Sequence, residues 1–169
     1  GAAGCVLARP VRRWEYVGGK FAGIAGVLAL FTAILGLLLA LVLAGRGTQL
    51  GVSAVGLRIF GCACALQWLK LTLVSALTLL VGSYACSTLF ASCAGLLLAL
   101  IAHLRPFAGG GWLTWLRAWP NLALFDSESL LAAGAAPAGA WLLQLTLYWA
   151  AYVLVLGALA SHVFKRREL

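Results

Sequence analysis

Lys70 lies in the interior of an apolar stretch, residues 57–104, with Gln67 one helical turn before it. An ammonium group at that depth in a bilayer is costly, and by default it marks function: a substrate or ion path, or a structural ion pair. Its long stem can also carry the charge toward a polar boundary. If its helix starts near residue 62, Lys70 stands about 12 Å from the outer end. Asp126 and Glu128 fall on the same outer side of the chain and are the candidate partners. His103 and His162 fall near opposite membrane surfaces, so they cannot share a metal or a proton relay, and each reads as an interfacial side chain. The cysteines include no CxxC pair. Cys62 and Cys64 point to different faces of a helix, which disfavours a shared metal and leaves them as small apolar packing residues. There is no GxSxG nucleophile elbow and no Walker-type phosphate loop. An intramembrane protease would need paired Asp, or a Ser with a base at its own depth, and Asp126 is the only Asp. The reading is therefore of a chain without a catalytic site or metal of its own.

The elements that must position these residues are set by composition. Of 169 residues, 64% are apolar and 9% charged, which no water-soluble surface of this size can accommodate. The net charge is +8, but the cations cluster at the ends of apolar runs. That is the signature of membrane topology rather than of a nucleic-acid surface. The expected fold class is all-α, a single polytopic transmembrane bundle over residues 1–169 with spanning helices at about 21–44, 62–86, 90–106 and 138–161. Residues 45–56 are a Gly-rich loop, and the polar cluster at 83–92 is the best place for the second helix to turn back into the third. Small residues recur at helix-packing spacing: Gly19 and Gly23, Ala22 and Gly26, Gly157 and Ser161.

The long connection at 105–137 carries Trp112, Trp115, Trp119, Pro120, Asp126 and Glu128. Three indoles among Gly and Pro suggest short interfacial or re-entrant pieces on the outer side, an outer gate in functional terms. Asp126 is placed to cap a short helix at 127–134. Four crossings put both ends on one side. Those ends hold Arg9, Arg12, Arg13, Lys20, Lys165, Arg166 and Arg167, against Arg46, Arg58, Arg105 and Arg117 in the opposite loops. The positive-inside rule then makes residues 1–20 and the tail at 162–169 cytoplasmic.

Residues 8–20, ARPVRRWEYVGGK, pack Arg pairs, aromatics and one acid against the first span. They read either as a topology anchor, with Trp14 and Tyr16 in the aromatic belt, or as a short amphipathic helix that docks a soluble partner. In the second reading Pro10 sits in the first turn and Glu15 offers a charge to the partner.

The same segment resembles a signature of bacterial ABC transporter permeases of the type-2 exporter superfamily, "R-P-V-x-R-x-E-Y-x-x-G-K", filled here by Arg9, Pro10, Val11, Arg13, Glu15, Tyr16, Gly19 and Lys20. The stretches at 87–92 (STLFAS), 120–125 (PNLALF) and 164–169 (FKRREL) are similar to the same family in the same order, so the resemblance covers nearly the whole chain. It implies helices three to six of a six-helix permease in a bacterial inner membrane. The sequence starts at Gly1 and has no Met, which leads us to expect a fragment lacking the first two spans. The resemblance further implies a dimer of permease copies on two ATP-binding cassette subunits, with lipid as surroundings and no nucleic acid. ATP and Mg would sit on the partner subunit and no cofactor on this chain. Arg9, Pro10, Val11, Arg12, Arg13, Trp14, Glu15, Tyr16 and Lys20 would form the coupling segment, and the outer loop a gate. No substrate is indicated. The alternatives are a secondary transporter, for which Gln67 and Lys70 are the only mid-membrane candidates, and a non-transporting membrane anchor or assembly subunit.

Overall fold

The computed structural model describes residues 13–46, 57–85, 87–104, 119–128, 131 and 137–166. Among them all regular structure is helical: α1 (Arg13–Arg46), α2 (Leu57–Tyr84), α3 (Thr88–Leu104), a 3-10 turn (Leu122–Phe125) and α4 (Gly139–Arg166). Three stretches are long and apolar enough to cross a bilayer: Trp14–Arg46, Ile59–Tyr84 and Gly139–Val163. The expected third crossing, α3, is apolar but has only 17 residues. At 1.5 Å per residue that is about 25 Å, against a hydrocarbon core of about 30 Å.

The boundaries shift in an informative way. α1 starts at Arg13, well before the expected residue 21, so residues 13–20 are the first turns of the spanning helix and not a separate short helix. Nothing there breaks a helix: Pro10 lies upstream, and Gly18 and Gly19 only weaken it. α2 starts at Leu57 rather than 62, since the apolar run continues upstream of the expected start. The break between α2 and α3 falls at residues 85–87, inside the polar cluster that marks it in the sequence. α4 continues five residues past the expected end, to Arg166.

α2 is the central helix and touches α1, α3, α4 and the 3-10 turn. Its buried face, Leu66, Leu69, Leu73, Ala76 and Leu77, repeats at the three-to-four-residue spacing of one helical stripe and forms the core with Leu145 and Leu156 of α4. α3 lies close against α2 because Gly95 has no side chain: a Cβ there would stand 2.5 Å from Thr78 Oγ1. Most of α1 is exposed all round, including Leu30, Phe31, Leu37 and Leu41, as expected of a helix whose solvent is lipid.

Residues 119–128, a described part of the connection between α3 and α4, pack into the bundle. Pro120, Leu122 and Phe125 are fully buried, and Leu122 and Phe125 belong to the same core cluster as Leu66, Leu69 and Leu73. Residues 119–128 therefore re-enter the bundle. Non-helical backbone is tolerated at such depth only where protein surrounds it and satisfies its polar groups. Here the Asn121 N–H donates to the Tyr148 hydroxyl (2.8 Å), the Asn121 side-chain oxygen accepts from the Ala123 N–H (3.2 Å), and the Asp126 N–H donates to the Ala123 carbonyl (3.2 Å). Tyr148 stands roughly 14 Å along α4 from its start, which measures how far the segment descends.

Candidate functional site: an ion pair under the re-entrant segment

Lys70 is near the midpoint of α2, roughly 20 Å from either end, deeper than a helix starting at residue 62 would place it. Its side chain is 20% exposed, so protein encloses most of it. Asp126 meets it there: Lys70 Nζ donates to Asp126 Oδ1 at 2.5 Å. The second carboxylate oxygen faces His103 Nε2 at 3.9 Å. One carboxylate thus links α2, the end of α3 and the re-entrant segment. Most of the expected short helix at 127–134 lies outside the described residues; Glu128 and Leu131 are helical, and the Leu131 N–H donates to the Ser127 carbonyl (3.0 Å), while the Asp126 carboxylate is engaged by Lys70.

His103 is the member of this cluster that sequence reasoning does not bring to Lys70; it stands in the last turn of α3 and is partly exposed. The signal was present. Lys70 precedes the end of α2 by about as many residues as His103 follows the start of α3, so an antiparallel hairpin brings both to one height. Gln67 does not join the ion pair. It borders a cavity of about 280 Å³ between α1 and α2, which Thr32, Cys64 and Ser127 also line. Glu128 is exposed, outside the bridge. No group of three or more His, Cys, Asp or Glu that could hold a metal occurs among the described residues.

A seam of indole and phenol groups braces the site. Trp68 Nε1 donates to the Ala25 carbonyl of α1 (3.0 Å), and Trp149 Nε1 of α4 donates to Thr72 Oγ1 of α2 (3.0 Å). The Trp68 and Trp149 rings lie 6.0 Å apart, and Phe125 stacks obliquely on Tyr148 at 6.3 Å. In lipid these directional contacts do the holding, because apolar burial gives little preference for protein over acyl chain. Trp119 is half-buried and packs against the core.

At the opposite end of the bundle, only part of the segment expected to couple to a partner is described. Arg9, Pro10, Val11 and Arg12, like Trp112 and Trp115, lie outside the described residues. Arg13 opens α1. Trp14, Glu15, Tyr16 and Lys20 are exposed on its first two turns, and Val17 alone of that stretch is buried. The turn at 85–87 borders the same groove as Tyr16 and Lys20, so these two connections share one face of the molecule. His162 is exposed near the end of α4, apart from the ion pair.

No family model matches this chain, and neither the curated proteins nor the solved structures provide a match. The functional reading rests on the residues and their arrangement.

Proposed function

We propose that this chain is the membrane-spanning permease part of an ATP-driven, ABC-type exporter in a bacterial inner membrane, coupled to a separate ATP-binding subunit and paired with a second permease copy. ATP and Mg belong to that subunit, and this chain contributes the path rather than the hydrolysis. Both ends face the cytoplasm, and α3 serves as a fourth span, shortened where the re-entrant segment fills the outer half of the bundle.

The observation that carries this reading is the continuity of α1. The described part of the segment with the R-P-V-x-R-x-E-Y-x-x-G-K resemblance, Arg13 to Lys20, forms the first two turns of a 34-residue helix. A partner that grips Trp14, Glu15 and Tyr16 differently in its two nucleotide states would move one rigid rod, and through Trp68 and α2 the ion pair that holds the outer segment. The re-entrant segment is then the outer gate, closed while Asp126 engages Lys70.

The test is coupling. Glu15→Lys and Tyr16→Ala should leave membrane insertion intact and abolish most of the substrate-stimulated ATPase activity of the assembled complex. Unchanged stimulation in both variants counts against the assignment. A secondary transporter is the second reading, favoured by one specific observation: an ion pair in mid-helix is also what an ion-coupled carrier would need. It predicts transport driven by an ion gradient without any ATP-binding subunit.

A further inference from the structure

A groove of about 590 Å³ opens sideways between α1, α2 and the start of α3. Its long wall follows α2 from Leu71 to Ser83, roughly 18 Å at 1.5 Å per residue. One end is polar, bordered by Ser83, Ser87 and Thr88; Lys20 stands about one helical turn, roughly 6 Å, in from Tyr16 along α1, and the other end is apolar, lined by Ile24, Leu28 and Val74. Lys20 is the last charge before the uncharged run of α1, which sets it at the level of the headgroups. It makes no ion pair among the described residues.

We propose that this groove binds one anionic phospholipid from the leaflet on the Lys20 side, its phosphate at Lys20 and an acyl chain laid along α2.

Two observations select this occupant. The first is length, since the groove runs roughly 12 Å along α1 from Lys20 to Leu28, within the hydrocarbon depth of one leaflet, half of a ~30 Å core. The second is polarity. Within the groove the hydroxyls of Ser75 and Thr78 spend their protons on the carbonyls of Thr72 and Val74 in their own helix. They ask nothing of an apolar chain, while the free cation stands nearer the polar end. The site requires only that the bundle is embedded in a membrane, and it stands or falls independently of the exporter reading.

The experiment is lipid retention. The full chain is purified from nanodiscs containing equal amounts of phosphatidylglycerol and phosphatidylcholine, and bound lipid is counted by native mass spectrometry. One phosphatidylglycerol per chain is expected, in preference to phosphatidylcholine. Lys20→Gln should reduce that preference about fivefold, the size of one basic residue's attraction to an anionic leaflet. Val74→Trp, which fills the apolar end, should remove the retained lipid altogether. If that variant does not fold, Leu71→Phe provides a smaller obstruction at the same end. Equal retention of the two lipids, an unchanged preference in Lys20→Gln, or undiminished retention in a folded groove-filling variant overturns the proposal. So does a second copy of the chain, rather than lipid, cross-linking to residues of the groove.

Discussion

Replacing Lys70 by Met while Asp126 remains leaves a carboxylate inside the bundle with only His103 at 3.9 Å to answer it. Replacing Asp126 by Asn while Lys70 remains strands an ammonium near the midpoint of a spanning helix. Insertion measurements put an unpaired Lys or Asp at a helix centre at about 2.5–3.5 kcal/mol. The two groups are partly exposed, at 20% and 37%, so some of that cost is relieved, and about 2 kcal/mol is expected for each single change. The double variant has no stranded charge and should cost less than about 1 kcal/mol in total, because removing both partners of such a pair is far gentler than removing one. The coupling energy is then about 3 kcal/mol, well beyond the ~0.5 kcal/mol within which independent sites add. The assay is unfolding in mixed micelles by increasing fractions of SDS, followed through the fluorescence of the chain's 7 tryptophans. Single changes that sum to the double would refute the idea that Asp126 and Lys70 hold each other inside the bundle.

The other expectations follow from individual contacts. Gly95→Ala places a Cβ against Thr78 and should destabilise the α2–α3 hairpin by about 1–3 kcal/mol in the same unfolding assay, with partial recovery on adding Thr78→Ala. Trp68→Phe keeps the ring but loses the hydrogen bond to the Ala25 carbonyl, which should cost about 1 kcal/mol and leave insertion unchanged. Phe125→Ala removes a fully buried ring that rests on Tyr148. It should cost about 3 kcal/mol and, in a background without native cysteines, speed labelling of a cysteine at Ser127 by an impermeant thiol reagent. An unchanged labelling rate would mean that the ring does not hold the segment in place.

The sequence makes the membrane class and the main helices legible because both follow from uninterrupted apolar runs, a one-dimensional property. It is weaker at the ends of those runs. Arg13, Glu15 and Lys20 look like the edge of a helix, yet α1 runs through them, since charged residues at headgroup level are compatible with continued helix. Asp126 and Glu128 were both candidates for Lys70, and charge type alone does not choose between them. Phe125 decides it: burying that ring turns the adjacent carboxylate inward and leaves Glu128 outside. The re-entrant course of residues 119–128 has no periodic signal, because its depth is set by tertiary contacts with Tyr148 and the α2 core. The approach of His103 to Asp126 is hidden for a related reason: it depends on the α2–α3 hairpin, which sets residues distant in sequence at one height.

Partner binding tests the central claim most directly. The protein should be purified from its native membrane with an affinity tag, and the co-purifying proteins identified. The exporter reading predicts a near-stoichiometric subunit with a Walker-type phosphate loop, lost when residues 12–16 are replaced by a neutral helix-forming sequence. Recovery of the intact, folded protein without any such subunit, or with one that the replacement does not release, would contradict it.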